Sequence, residues 1–404
     1  MPTKSHNFPS GWTAARLASL CDILIGGTPS RNKQEFWDAD KSDKNVWVSI
    51  ADLSKLKGKY ISDSSEYISD EGVRRSNVKK VLPGTVLMSF KLSIGKVAIA
   101  KTPLFTNEAI AAFNIKQPDR IVSDYLYYLL PTLEYEADQA VKGKTLNKEK
   151  LNEVELTLPS LNEQKKIAET LSTVDDAIQK TNELILQIEK LKEGLTSRFS
   201  VHGKTAKLGT FLAEIGGYIQ TGPFGSQLHS FEYVPDGIPV VMPKDIHRGR
   251  VNQSSIARIS RTKAEELTRH RLKENDLVLS RRGDFQRAAA IGVNEEGWIC
   301  GTGCLLLRAP KERLDASWLS QLYLSPLVQK QLDANSVGTT MKNLNSSIIG
   351  NLILPIPEIS EQQKIFSILS VVDKKITIER KAKSALEVFK KGLMQDLLSG
   401  KVRV

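Results

Sequence analysis

Residues 26–34 read GGTPSRNKQ and residues 221–230 read TGPFGSQLHS. In both stretches Gly and Pro constrain a loop, and hydroxyl, amide and cationic side chains follow at once. These are the side-chain types that hydrogen-bond base edges and grip phosphate oxygens. The candidates are Thr28, Ser30, Arg31 and Lys33 in the first stretch, and Ser226 and Gln227 in the second. An ordinary hairpin loop has a similar composition, and on residue type alone that plainer reading is the stronger one.

Further cations fall at matching places in the two halves of the chain. Lys91 and Lys96 lie in FKLSIGKVAI, and Arg281, Arg282 and Arg287 lie in SRRGDFQRAAAI, while Lys244 follows the run IPVVM. An arginine at such a place can bond guanine with two parallel N–H groups, whereas a phosphate contact only positions the protein. RTKAEELTRHRL at 261–272 reads as a short basic helix, equally compatible with a solvated face and with contact to a nucleic-acid backbone.

Catalytic patterns do not emerge. His6, His202, His229, His247 and His270 form no metal-ligand spacing, and Cys300 and Cys304 lack the second Cys or His pair of a zinc site. The chain has no G-x-x-x-x-G-K-[ST], no G-x-S-x-G, and neither an Asn-Pro-Pro-aromatic nor an Asp-Pro-Pro-aromatic tetrapeptide. Glu265-Glu266 and Glu295-Glu296 sit in polar runs and read as solvated surface.

A formal charge of +11 and a pI near 9.3 imply an anionic partner, nucleic acid first and an acidic membrane surface second. The 404 residues exceed what one core supports, and 40% apolar content is enough for two. No uninterrupted run of apolar residues is long enough to cross a membrane, and the start MPTKSHNFPSGW has no apolar export signal. Three cysteines are an odd number for a disulfide framework. The expectation is a reducing, cytoplasmic setting.

The elements that would position these loops are announced by a repeat. LPSLNEQKKIAETLSTVDDAI at 158–178 returns as IPEISEQQKIFSILSVVDKKI at 356–376, with ten of 21 positions identical at an offset of 198. Lys192/Lys390, Gly194/Gly392 and Leu195/Leu393 continue the register. The period is too long for a solenoid unit and indicates a duplicated domain.

Each copy opens a long helix, expected over 163–199 and 360–399, with Asn162 and Ser360 as N-caps and Gly400 as the C-terminal stop. At 1.5 Å per residue the first would be roughly 55 Å long. Ile167, Leu171, Val174, Ile178 and Ile185 form a heptad seam, and Ile365, Leu369, Val372 and Ile376 form its counterpart. Thr181, Lys192, Glu379, Lys383 and Lys390 interrupt the seams. Each helix could pack on its own domain, or the two could pair as an antiparallel coiled coil with a globular unit toward either end. The narrow seams and matched lengths favour pairing.

The globular units, roughly 11–155 and 205–352, read as mixed α/β with many short strands. VWVSI at 46–50 matches IPVVM at 238–242, TVLMSF at 85–90 matches DLVLSR at 276–281, and KVAIA at 96–100 matches RAAAI at 287–291. Residues 105–115 then correspond to WICGTGCLLL at 298–307.

The motif order resembles the specificity subunits of type I restriction-modification systems. GW at 11–12 leading to IGGTPSR at 25–31, LPGTVLMSF at 82–90, IPVVMPKDI at 238–246 and the two helix starts at 163–167 and 361–365 carry the resemblance, which spans nearly the whole chain. It implies an α+β protein in which two target-recognition domains, each mixed α/β, alternate with two helical regions forming an antiparallel coiled coil. The implied boundaries are 1–157, 158–203, 204–354 and 355–404. It implies a non-catalytic subunit that binds a bipartite, asymmetric double-stranded DNA target, one domain per half-site. Two methyltransferase subunits would dock on the helices and domains, with the seam residues Ile167, Leu171, Val174, Ile178, Ile185, Ile365, Leu369, Val372 and Ile376 serving pairing and docking, and restriction/translocase subunits would join them. No cofactor would be bound by this chain: S-adenosylmethionine, ATP and Mg would serve the partners.

Two other readings remain distinct from this one. A single-chain methyltransferase or nuclease would label or cut DNA unaided. A nucleic-acid-binding scaffold without a modification role would bind RNA or protein, against which stands an aromatic content of only 6%.

Overall fold

The computed structural model describes residues 9–135, 138–140, 143–199, 203–247, 249–334 and 343–404, so His6 and His202 lie outside it. The chain forms two compact units, residues 1–183 with 380–404 and residues 184–379. Both divisions fall inside the long helices, Leu161–Phe199 and Ile359–Leu398.

The first unit is built on a five-stranded sheet in the order Cys21–Ile25, Ile110–Ile115, Val86–Ser89, Val97–Ala100, Tyr60–Ile61, antiparallel except for the last pairing. A second sheet pairs Asn45–Val48 antiparallel with Glu66–Ile68 and parallel with Phe105–Thr106. Thr13–Arg16 pairs antiparallel with Glu155–Leu158, the strand that leads into the central helix.

The second unit repeats this plan. Tyr218–Thr221, Cys304–Arg308, Leu277–Ser280 and Ala288–Ala290 form an antiparallel sheet. Ile238–Val241 pairs antiparallel with Ala257–Ile259 and parallel with Ile299–Cys300. Lys204–Lys207 pairs antiparallel with Ile353–Ile356, the strand before the C-terminal helix. The matched runs of the sequence are therefore matched strands. Their apolar residues are buried on both faces, as in Val86–Ser89 and Leu277–Ser280.

The helices begin earlier than the sequence suggests. Ser160, not Asn162, caps the central helix: its hydroxyl accepts from the Glu163 N–H at 3.3 Å. Ser360 lies inside the first turn of the C-terminal helix, where Glu358 O accepts from the N–H of Glu361 and Gln362. Each helix starts two residues after a buried proline, Pro159 or Pro357, whose carbonyl oxygen accepts from Gln164 or Gln362 in the first turns. Gly400 ends the second helix with φ +71°, in the left-handed region glycine adopts without strain.

Within each unit one helix half lies antiparallel to a half of the other. In the first unit, Ile167 and Leu171 share a core with Leu397, Leu398 and the domain residues Leu17, Tyr125 and Leu129. In the second, Ile365 and Leu369 share a core with Leu195, Phe199, Leu319 and Leu322. Packing on the domain and packing on the other helix are thus both true of the seam's first turns. Val174, Ile185 and Ile376 are buried, while Ile178 and Val372 are half-buried.

The polar interruptions are bonded. Lys390 Nζ lies 2.6 Å from Asp175 in the first unit, and Lys192 Nζ lies 2.7 Å from Asp373 in the second. These are the same two repeat positions, with the copies exchanged. Each aspartate also accepts from its own domain, Asp175 from Tyr128 Oη at 2.7 Å and Asp373 from Gln321 Nε2 at 2.9 Å. Lys383 Nζ donates to Asn182 at 2.7 Å.

Candidate nucleic-acid interface

In the first unit, the loop 26–34 leaves the strand Cys21–Ile25 and is pinned at its root. Gly27 N donates to Thr106 O at 2.8 Å, and a Cβ at Gly26 would overlap Thr106 and Asn107 carbonyl oxygens. Trp47 Nε1 donates to Gly27 O at 3.0 Å and Trp37 Nε1 to Ser30 O at 3.2 Å. Two indoles therefore fix the backbone of the Gly-Pro segment.

The candidate side chains here are partly engaged within the unit. The Thr28 hydroxyl donates to Glu108. Arg31 makes a two-pronged contact with Glu66, one arm at 3.1 Å, and its guanidinium lies 3.8 Å from the Trp37 ring centroid and 5.0 Å from that of Trp47. The hydrogen bond to Glu66 pushes the Arg31 pKa up. The result is a guanidinium held by Glu66 beside two indoles set edge to face, 88° between planes, with half its surface still in solvent. Ser30 and Lys33 are exposed, and Lys33 Nζ sits 5.0 Å from the Phe36 ring. Lys91 and Lys96 flank the turn that joins Val86–Ser89 to Val97–Ala100, Lys96 exposed and Lys91 half-buried, 5.3 Å from the Phe90 ring.

In the second unit, the equivalent loop leaves Tyr218–Thr221. Gly222 N donates to Cys304 O at 2.9 Å, and a Cβ at Gly222 would overlap Gly301 O. The Gln227 side chain accepts from Phe224 N at 3.0 Å, closing a tight turn whose tip exposes Ser226 and Gln227. Two of the second unit's cations touch elements next to other candidates. Arg281 lies 5.8 Å from the exposed Phe224 ring and donates to Leu344 O at 3.1 Å. Arg287 donates to Pro243 O at 3.0 Å and to Asp284 at 3.1 Å. Lys244, next to Pro243, is exposed and reaches Ser255 O at 2.9 Å. Arg282 is exposed at a turn whose Gly283 has φ +77°.

The basic stretch 261–272 is not one helix. Arg261–Glu266 is helical, Thr268–His270 is a 3-10 turn, and His270 is buried. Leu267, also buried, sits at the break. Sequence reasoning missed the acidic partners Glu66 and Glu108 and the Trp37–Trp47 pair, because none is adjacent in sequence to the residues it holds.

Among the described residues, no group of three or more His, Cys, Asp or Glu side chains is placed to hold a metal ion. Cys21, Cys300 and Cys304 are all buried free thiols; burial pushes Cys21 up to about 12 and also raises Cys304. Such thiols are inert packing residues. Among the described residues, no helix is long and apolar enough to cross a membrane.

The family model described as the type I restriction modification DNA specificity domain matches residues 9–190 and 234–388. The MjaIX specificity subunit of a type I restriction enzyme from Methanocaldococcus jannaschii is 27% identical, over 100% of this chain and 96% of the relative. The EcoR124I/EcoR124II specificity subunit from Escherichia coli is 30% identical over 37% of each chain. The crystal structure of a type I restriction-modification S subunit from M. genitalium has a TM-score of 0.56 at 18% identity, covering 98% of both chains. A structure concerned with complex assembly of the type I system has a TM-score of 0.59 at 14% identity, covering 98% of this chain and 100% of that one. Two units of one plan, each joined to a helix of matched length, are thus shared with these folds, and the chain belongs to the type I restriction-modification DNA specificity family.

Proposed function

We propose that this chain is the DNA-reading subunit of a type I complex, recognising a bipartite, asymmetric target and directing adenine methylation and restriction by partner subunits. The observation that carries the reading is the internal duplication. Loops of the same origin sit at equivalent sheet ends but carry different side chains: Thr28, Ser30, Arg31 and Lys33 against Ser226 and Gln227, and Lys91 and Lys96 against Arg281, Arg282 and Arg287. A retained scaffold with divergent loops suits two half-sites of different sequence. Because one face of B-DNA recurs every 10–10.5 bp, a fixed separation of the readers would demand a fixed gap.

The chain itself performs no catalysis in this reading. S-adenosylmethionine, ATP and Mg belong to the methyltransferase and restriction/translocase subunits. Ile368, Val371 and Ile378 support a docking role for the C-terminal helix: they are 38%, 62% and 59% exposed and form a stripe separate from the seam.

The test is co-expression with the methyltransferase subunit, followed by single-molecule sequencing for N6-methyladenine. A two-part motif with a constant gap, methylated once per strand, is the expected result. Deleting one heptad from both helices should change the preferred gap in a randomised-spacer library. A stable complex without methylation would favour the scaffold reading instead.

A further inference from the structure

Phe231 is 81% exposed, more than any other large hydrophobic side chain among the described residues. It sits on the 3-10 turn Ser230–Glu232, at the end of the Gly-Pro loop of the second unit. The turn is held from several sides. The Glu232 carboxylate accepts from His229 N at 2.6 Å and pairs with Lys263 Nζ at 2.8 Å. Those two contacts keep its carboxyl below the usual range. Lys263 belongs to the helix Arg261–Glu266, which Ser260 caps. Tyr233–Val234 continues from the turn into a strand paired with Ala257–Ile259, and Leu228 anchors the other side in the core. A well-fixed backbone thus presents an apolar ring to solvent. The His229 ring lies parallel on it, 5.2 Å between centroids and 7° between planes.

The first unit supplies an internal control. Its 3-10 turn Gln34–Phe36 follows the equivalent loop, yet Phe36 is only 3% exposed. A Cβ at Gly72 would overlap the Phe36 backbone, so the helix Asp70–Arg75 closes tightly over that turn. In the second unit the phenylalanine comes one residue earlier in the turn. One residue is a third of a 3-10 turn, which carries the ring from the core side to the outside.

The surroundings select the occupant. Ser226, Gln227, His229 and Ser230 are all exposed, and the loop's other exposed ring, Phe224, lies beside Arg281, so Phe231 is flanked by polar side chains and, with His229 stacked on it, does not form the broad apolar patch of a protein interface. Residues 204–354 hold 19 Lys or Arg against 14 Asp or Glu, a net of +5. A single flat ring in a cationic setting matches the side chains that enter a stack of bases and unstack one step.

We infer that Phe231, backed by His229, inserts into the DNA half-site read by the second unit and opens one base step there. The inference rests on the DNA-reading function proposed above and adds a mode of readout: sequence selection through the deformability of a step. Pyrimidine–purine steps open most easily, so one is expected in that half-site.

The experiment uses the full chain in complex with its methyltransferase subunits and the target duplex, with 2-aminopurine placed in turn along the second half-site. The wild type should give a fluorescence rise at one step. Phe231→Ala should abolish it and weaken binding about 10- to 100-fold, the range of one lost base–aromatic stack. Phe231→Trp should keep the signal. Exposure of the ring means the alanine variant should melt like the wild type. An alanine variant with unchanged affinity and unchanged fluorescence overturns the inference alone. So does one that binds DNA normally but no longer holds the methyltransferase subunit, which would make the ring a protein contact. A wild-type complex that binds no bipartite duplex overturns the functional reading and the inference together.

Discussion

Gln164 and Gln362 occupy the same repeat position, and both are 0% exposed. Gln164 Nε2 donates to Arg120 O at 2.7 Å and to Pro159 O at 3.0 Å, and its Oε1 accepts from Val122 N at 3.2 Å. Gln362 repeats the set with Arg313 O at 3.3 Å, Pro357 O at 2.9 Å and Asp315 N at 2.9 Å. One amide thus ties the helix start to the loop before the domain helix Ser123–Leu129, or before its counterpart Ala316–Tyr323. Gln164→Leu keeps most of the volume and strands three backbone groups. A buried group left without a partner costs about 1–3 kcal/mol, and a partly wet one less. With one contact fully buried and two partly so, the sum is about 4 kcal/mol, reduced to about 3 kcal/mol by the apolar replacement. That is about 100-fold in the opening equilibrium. Urea melts with peptide-level hydrogen exchange are the assay. Residues 117–126 and the start of the central helix should lose protection, while 312–319 should not. Gln164→Glu should be worse than Leu, because it turns an oxygen toward two carbonyl oxygens. A Leu variant within 1 kcal/mol of wild type, or equal loss of protection in both units, would refute the clamp.

The exchanged ion pairs give a charge-swap test: Lys390→Asp should cost about 2 kcal/mol, between exposed and buried pairs, and Lys390→Asp with Asp175→Lys should recover most of it in thermal melts. The Lys192–Asp373 pair should behave alike. His270 is buried, and its Nδ1 lies 3.0 Å from the Gln220 amide nitrogen, so the ring accepts there as a neutral imidazole. Burial first, and Arg269 second, depress its pKa. A depressed folded value means the stability is whole above the unfolded pKa of about 6.5 and is lost as pH falls through the folded one, at no more than about 1.4 kcal/mol per pH unit. Melts at pH 7.5 and 5.5 should show this loss, and His270→Asn should reduce it.

The duplication, the two helices and the order of strands were legible in the sequence because each rests on local pattern: heptad spacing, β-branched runs and repeated register. Contacts between distant residues were not. Arg31 and Glu66 are 35 positions apart, and nothing near Arg31 announces that the guanidinium lies on Trp37. Lys192 and Lys390 read as faults in a seam because charge in a heptad looks the same whether solvated or paired; only the partner helix distinguishes them. The N-caps were misplaced because Asn162 and Ser360 have the right side chains but lie within the first turn, where the chain has already become helical.

The repeat also sorts inner from outer positions. Of the ten identities between 158–178 and 356–376, nine are buried or half-buried in both copies. Of the eleven differences, eight have at least one exposed member, and the other three exchange one apolar residue for another. The matched inner residues have the same kind of partner in both copies: Gln164 and Gln362 each clamp their own unit, and Asp175 and Asp373 each meet a lysine of the other helix. The loops have no such tie and are free to differ, as Phe36 and Phe231 do. Lys166 and Lys364 break the rule, being identical yet exposed in both copies. Internal packing gives no reason for that match. Under the function proposed above, a subunit docking at each helix start would supply an external one.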